Sequence, residues 1–425
     1  LDLMGDYAMN DTDAFYEGAE FTQGQNQADL NNPNRQIFEG DRYGYNYILR
    51  ANTLDAFTQF KFTFKKVDFY LAQGYTKTNY QREGLYRNGL YANNSIGKSE
   101  KVDFDNFGFK GGITYKLSGR SFFSANAAYL TKAPSLRNTF VNARLNNNIL
   151  DNLESERITS ADVSYILNAP KFKARLTAYY SMIENSTKIG FFYSEGLSLD
   201  DDGGEDEFVA EITQGMDKRN LGAELGMEYQ LTSTIKLTGS AAYGQYIYNN
   251  NPNVALSVDG RQAAGLNPVV QFGESYMKNY KQGGMPQQAY SFGIEYRDPR
   301  FWWIGVNGNY MADTYVDIDP LLRTSNFYAV PNQGGITFPE ATPERAEYLL
   351  KQEKFDPFYL VNLTGGKSWR IKNKTIGFFA SVNNVLDQEY KTGGFESARN
   401  ANFREINEDN ASGIRSFGNR YFFGW

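Results

Sequence analysis

The sequence predicts an all-β protein, a transmembrane antiparallel up-and-down β-barrel, and three observations carry that expectation. Apolar and polar residues alternate over ten or more positions in segment after segment, enough to cross a bilayer when tilted. The connections alternate short and long, as in barrels with tight periplasmic turns and long extracellular loops. Mean hydropathy is low at -0.56 although aromatics make up 16% of residues, which suits a wall with one apolar and one polar face. Disorder, being aromatic-poor, fits badly.

In chain order, residues 1–44 read as an extracellular loop region and 45–425 as a barrel portion. The expected strands are 45–65, 67–80, 103–116, 120–131, 155–168, 171–184, 208–231, 233–249, 286–297, 300–314, 358–370, 374–389 and 413–425. In the third, Phe107, Phe109, Ile113 and Tyr115 oppose Lys110, Gly112 and Thr114. The sixth is clearest: Phe172, Ala174, Leu176, Ala178, Tyr180 and Met182 share one face, and Lys173, Arg175, Thr177, Tyr179 and Ser181 the other. Leu221 to Leu231, Ile235 to Tyr243 and Tyr290 to Tyr296 repeat the pattern. Helical period fits none of these stretches.

Short turns are expected near Lys65-Lys66, Leu117-Ser118-Gly119, Asn168-Ala169-Pro170, Thr232-Ser233, Asp298-Pro299-Arg300 and Lys372-Asn373. Tyr115, Phe123, Tyr165, Phe172, Tyr229, Tyr296 and Trp302 sit beside them, where an interfacial aromatic girdle belongs. Long loops are expected near 81–102, 133–154, 185–207, 250–285, 315–356 and 390–412. A soluble propeller or sandwich would have strands of about five or six residues and few loops beyond about fifteen. A fibre protein would not alternate its connections so regularly.

The chain ends Tyr421-Phe422-Phe423-Gly424-Trp425, which puts Tyr421, Phe423 and Trp425 on one face of a last strand. This ending resembles the signal by which outer-membrane barrels engage the barrel-assembly machinery. Thirteen strands is an odd number, whereas bacterial single-chain barrels have even ones. The first strand descends toward Lys65-Lys66, so the expectation is that earlier strands precede this stretch in a longer protein.

Composition narrows the chemistry. With no Cys there are no disulfides or thiolate metal sites, and with no His the commonest general base and metal ligand are missing. An enzyme is not expected. A formal charge of -6 argues against nucleic acid as a partner. No cofactor is expected, except that Asp200, Asp202 and Asp206 in an acidic, glycine-bearing run could hold a structural Ca²⁺ and brace a loop against lipopolysaccharide or substrate. Acidic loops are more often solvated surface. Substrate-binding candidates are Arg137, Asn142 and Arg144 on one loop, Phe192 and Tyr193 in an aromatic loop, and Tyr246 near the outer rim. Lys110, Lys173, Arg175, Glu224, Glu228 and Lys236 are expected on the lumen face.

Several segments together resemble the C-terminal part of a TonB-dependent outer-membrane transporter of the Bacteroidota type. They are Phe107 to Leu117, Ser121 to Tyr129, Lys132-Ala133-Pro134, Leu136 to Phe140, Lys173 to Tyr180, and the Asn384-x-x-Asp387-x-x-Tyr390 pattern. The resemblance implies a barrel of about twenty-two strands closed by a plug. It also implies a partner, TonB, contacted through an N-terminal part, and an outer-membrane setting of lipid and lipopolysaccharide. A surface lipoprotein lid is a further partner it leaves open. The function implied is active uptake of a scarce nutrient: siderophore, vitamin, glycan or peptide. A passive porin and a barrel subunit of a surface or secretion complex are the alternatives.

Overall fold

The protein is described here by a computed structural model covering residues 9–11, 22, 24–194, 197, 207–331, 333–391, 393–399, 401–409 and 421–424. The first eight long strands are β1 (Tyr47–Thr63), β2 (Val67–Gly84), β3 (Val102–Lys116), β4 (Ser121–Lys132), β5 (Glu156–Asn168), β6 (Phe172–Ser194), β7 (Glu207–Gln230) and β8 (Ile235–Tyr248). Two short strands follow, β9 (Asn253–Val258) and β10 (Val269–Glu274). Then come β11 (Gln288–Asp298), β12 (Trp302–Ala312), β13 (Phe358–Ile371) and β14 (Lys374–Val382). The long strands pair antiparallel with their neighbours in sequence, from β1 at one edge to β14 at the other.

Register shows why the alternation was so regular. Directly paired residues share a face, and Phe123, Tyr165, Leu176, Leu225, Ala241, Tyr290, Tyr310 and Tyr359 each pair with the next across β4 to β13. The opposite face carries the row Asn168, Lys173, Glu228, Thr238, Gly293, Asn307 and Asn362. A slip of one residue at any strand would mix the rows. Because one face meets lipid and the other water, the period of two is enforced along the whole strand. The expected girdle is present: Phe123–Tyr165, Phe172–Tyr229 and Tyr296–Trp302 have ring centroids 5.0, 6.3 and 5.2 Å apart beside the short turns. Phe62 and Phe69 extend it at 4.8 Å.

Four expectations change. The segment 185–207 is not wholly loop, because β6 and β7 continue paired up to Ser194 and Glu207. β9 and β10 occupy part of 250–285. The strand placed at 374–389 stops at Val382, since Asn384 and Asp387 take positive φ in a turn where Gln388 N–H donates to Asn384 Oδ1 at 3.0 Å. Of the last strand, placed at 413–425, the described residues form β16 (Tyr421–Gly424), which pairs with β15 (Gly393–Glu396) and, among the described residues, not with β14, while 413–420 and 425 lie outside the described residues. Within 1–44, Met9–Asn10 pairs with Gln36–Ile37, and residues 27 to 30 bond the backbone of Arg87 and Gly89.

The compact core lies at the long-loop end. Upper β6, upper β7, β9 and β10 form a small sheet that extends the wall. A bulge marks where it begins: Gly215 has φ +72 and Asn185 φ +61, and such bulges re-aim a strand. Asn185 N–H donates to Asp217 Oδ1 at 2.9 Å, Asp217 N–H to Asn250 Oδ1 at 2.8 Å, and Asn250 Nδ2 to Gly215 O at 2.7 Å. One face of the extension buries Val209, Val254, Leu256 and Val258 against Leu321, Phe327, Leu349, Phe403 and Ile406. These come from the 315–356 connection with helix α1 (Pro343–Leu350), and from helix α2 (Phe403–Asp409). Thr342 caps α1 by accepting Arg345 N–H, with Pro343 at the first turn. The other face buries Ala210, Ile212 and Ala255 against Val141, Leu150 and Ile189. The sheet therefore sits between two apolar layers, as a soluble domain would.

Candidate functional site

Two polar regions are built by the chain. The first is the polar face of the long strands. Lys173 Nζ lies 3.1 Å from Glu228, and Lys236 bridges Glu228 at 3.8 Å and Glu295 at 3.4 Å. Asn126 Nδ2 donates to Asp162 at 3.0 Å while Tyr70 OH donates to Asn126 Oδ1 at 3.2 Å. A trough of about 650 Å³ lies here, lined by Asn126, Asp162, Arg175, Glu224 and Ser240 among others. The expected lumen residues Lys110, Lys173, Arg175, Glu224, Glu228 and Lys236 all stand on this face. Above the trough Tyr246 and Tyr179 share a 2.6 Å hydroxyl contact. Paired Gly222 and Gly244 make room for it, since a Cβ on either would come within 2.6–2.8 Å of the Tyr179 oxygen.

The second region is at the long-loop end, between the 85–101 and 133–155 connections and one face of the extension. Arg82, at the top of β2, fastens it: Nε donates to Ala143 O at 2.7 Å, and Nη1 to Ser95 O at 2.8 Å and Asn147 Oδ1 at 2.6 Å. Among the described residues its acceptors are all carbonyl oxygens, and through them a buried cation holds both loops to the wall. A cavity of about 460 Å³ opens beside it.

The candidate residues distribute as follows. Asn142 is buried and its Oδ1 accepts the Arg144 N–H at 3.3 Å, shaping its own loop. The Arg144 guanidinium lies over Tyr45 at 5.4 Å and Phe191 at 5.9 Å. Arg137 is exposed on a single 3₁₀ turn, with no ion pair among the described residues. Phe192 packs on the larger core while Tyr193, on the opposite face of β6, is exposed. Tyr246 belongs to the polar face of the wall. The structure brings Arg144 to the aromatic segment through Phe191 and leaves Arg137 and Tyr246 apart. Asp200, Asp202, Asp206 and Trp425 lie outside the described residues, as do the side chains of Tyr421 and Phe423. Among the described residues no acidic group of three or more is arranged to hold a metal ion.

Sequence reasoning missed a buried charged cluster inside the lobe. Arg323 pairs with Glu396, and both are about 3% exposed. Arg323 also donates to Asp319 O at 3.2 Å and Leu350 O at 3.0 Å, and lies 5.0 Å over the Tyr280 ring. The Glu211 and Asp319 carboxyls hydrogen-bond to each other, and Leu321 N–H donates to both, at 3.2 and 2.9 Å. Nearby, Lys188 pairs with Asp317 at 3.1 Å, and Tyr248 OH donates to Asp317 at 3.1 Å. No sequence signal links positions 211, 319, 323 and 396.

Burial pushes Asp319 up to about 6 and, together with Asp319, raises Glu211 well above the usual carboxylate range. Acids whose folded values are raised stabilise the fold fully below their unfolded value, near 4, and lose that contribution as pH rises through the folded value. Amides of residues 319 and 321–324 should therefore exchange hydrogen progressively faster, relative to a Glu211→Gln/Asp319→Asn variant at the same pH, as pH climbs from about 4 through about 6. A constant ratio between wild type and variant from pH 4 to 8 would contradict the raised carboxyl pair.

Residues 1–385 match the family model described as TonB dependent receptor-like, beta-barrel. Among solved structures, the siderophore receptor PiuA from Acinetobacter baumannii is similar at 12% identity and a TM-score of 0.55, covering 82% of this chain and 41% of that one. The copper transporter OprC is similar at 16% identity and 0.50, covering 80% and 44%. The chain thus spans less than half the length of the structures it matches. At these identities the likeness is one of fold. No curated protein matches the sequence.

Proposed function

The chain belongs to the TonB-dependent receptor β-barrel family, and from that premise we propose that it is the C-terminal barrel portion of a Bacteroidota-type transporter. Its place is the outer membrane of a Gram-negative bacterium. In this reading the whole protein takes up a scarce nutrient, siderophore, vitamin, glycan or peptide, using energy delivered through TonB. These residues supply the wall and the outer loops, and a plug and TonB-contacting segment come from elsewhere in the protein. Residues 1–44 would then join the loops on the extracellular side, and the barrel-assembly machinery, lipopolysaccharide and a surface lipoprotein would be further partners.

The observation that carries the reading is the separation of faces across the meander, an apolar row from Phe123 to Tyr359 opposed by a hydrogen-bonded polar one. A wall of this kind suits a barrel that surrounds polar contents. Among the described residues no further strand pairs with the outer edge of β1 or β14, which supports the view that more strands complete the wall.

The competing porin reading makes a different electrical prediction. In a planar bilayer the whole protein should show no steady single-channel conductance. In cells, nutrient uptake lost on deleting the gene and restored by the whole protein should stop when a protonophore collapses the inner-membrane gradient. Stable conductance with gradient-independent uptake would make it a passive channel.

A further inference from the structure

We propose that the cavity of about 460 Å³ at the long-loop end binds a short neutral oligosaccharide. The inference rests on the transport reading for its purpose, though not for its chemistry. The floor comes from one face of the extension: Ile212 of β7 pairs with Ala255 of β9, which pairs with Gln271 of β10. Ile212, Ala255 and Val269 make that floor apolar, and the rim is made largely of amides. Asn93, Gln262 and Gln271 line it and make no side-chain hydrogen bond among the described residues.

Charge decides against anions. Among the described residues the lining contains no Lys or Arg, and its ionisable side chains are Asp151 and the buried Tyr91. An anionic iron chelate entering here would lose hydration with no cation to replace it. A neutral sugar meets no such penalty. Each primary amide offers a donor and an acceptor side by side, which matches neighbouring hydroxyls, and the apolar floor suits the C–H face of a pyranose ring. The volume lies within the range of ordinary small-ligand sites.

A neutral peptide is the nearest rival. Peptides that add to a sheet lie along a strand edge, but the cavity lies over the faces of three adjacent strands. The lining side chains of β7, β9 and β10 point into it from below, so a peptide here would have no backbone ladder to join.

The test is calorimetric titration of the purified whole protein in detergent. The probes are neutral gluco-, manno-, galacto- and xylo-oligosaccharides, neutral end-capped tetrapeptides, and ferric citrate. The expected result is binding of at least one oligosaccharide, weakened at least tenfold in a Gln262→Ala/Gln271→Ala variant, whose amides make no side-chain hydrogen bond among the described residues. An Asn93→Ala variant gives an independent check on the same rim. Absence of sugar binding across the panel, sugar binding indifferent to all these substitutions, or variant-sensitive binding of the tetrapeptides or ferric citrate would overturn the proposal. Titration in detergent needs neither TonB nor a gradient. A protein that binds sugar yet conducts as an open pore would therefore retain this site and lose the active-transport reading, and the reverse result would do the opposite.

Discussion

Replacing Arg323 with methionine is expected to cost the lobe at the long-loop end about 3–5 kcal/mol, the usual penalty for stripping one partner from a buried ion pair. The arithmetic is unfavourable because Glu396, about 3% exposed, would lose the Arg323 guanidinium while staying buried. The carboxyls of Asp319 and Glu211 stand close behind and add to the negative charge there. The loss should be local, because the described partners of the Arg323 guanidinium are Asp319 O and Leu350 O within the 315–356 connection, Glu396 of β15 and the Tyr280 ring, none of them on a wall strand. Hydrogen exchange should rise at residues 318–327, 349–350 and 396–406, while β3 to β5 keep wild-type protection. An Arg323→Met/Glu396→Leu double variant should recover part of the loss, since it removes the stranded charge along with its partner. If the double variant is as unstable as the single one, hydrogen-bond loss and not charge is the cause.

That cluster also marks the limit of what the sequence discloses. Wall strands were legible because each residue on them has one fixed environment: Val306 pairs with Ile294 and Leu363, all on the lipid side. The rule is local, so ten consecutive letters suffice. The lobe obeys no local rule. Val254 to Val258 is a short apolar run equally suited to a strand or a buried loop, and its partner in β7 is some forty residues upstream. Gly190 to Tyr193 reads as loop because it leads toward the acidic run at 200–206, whereas Phe208 to Glu211 across the ladder keep it in a strand. Asn142 has the composition of a binding residue, yet its oxygen is occupied by the backbone two residues on. Such hydrogen bonds are visible only once the chain has closed on itself. The cavity amides show the same limit from the other side: Asn93, Gln262 and Gln271 converge only through the fold.

Placing arginine at Val306 is expected to destabilise the wall by about 2–4 kcal/mol, the cost of a cation near the mid-depth of a barrel's lipid face. Val306 is 46% exposed in the middle of β12 on the row facing lipid. Its cross-strand neighbours Ile294 and Leu363 offer no acceptor side chain. Three residues on, Asn309 points to the polar face, where its partner is Ser291. The same arginine there should cost less than about 1 kcal/mol, because water and polar side chains solvate it. Reversible urea unfolding of the whole protein in phospholipid vesicles measures both. The difference between the variants carries the weight: strand propensity separates Val from Asn by at most about 1 kcal/mol, so a larger gap reports the medium. Equal costs at the two positions would mean that the two faces meet the same medium, and the bilayer assignment of the wall would fall with it. A reversed order would turn the barrel inside out, with the Phe123-to-Tyr359 row facing inward.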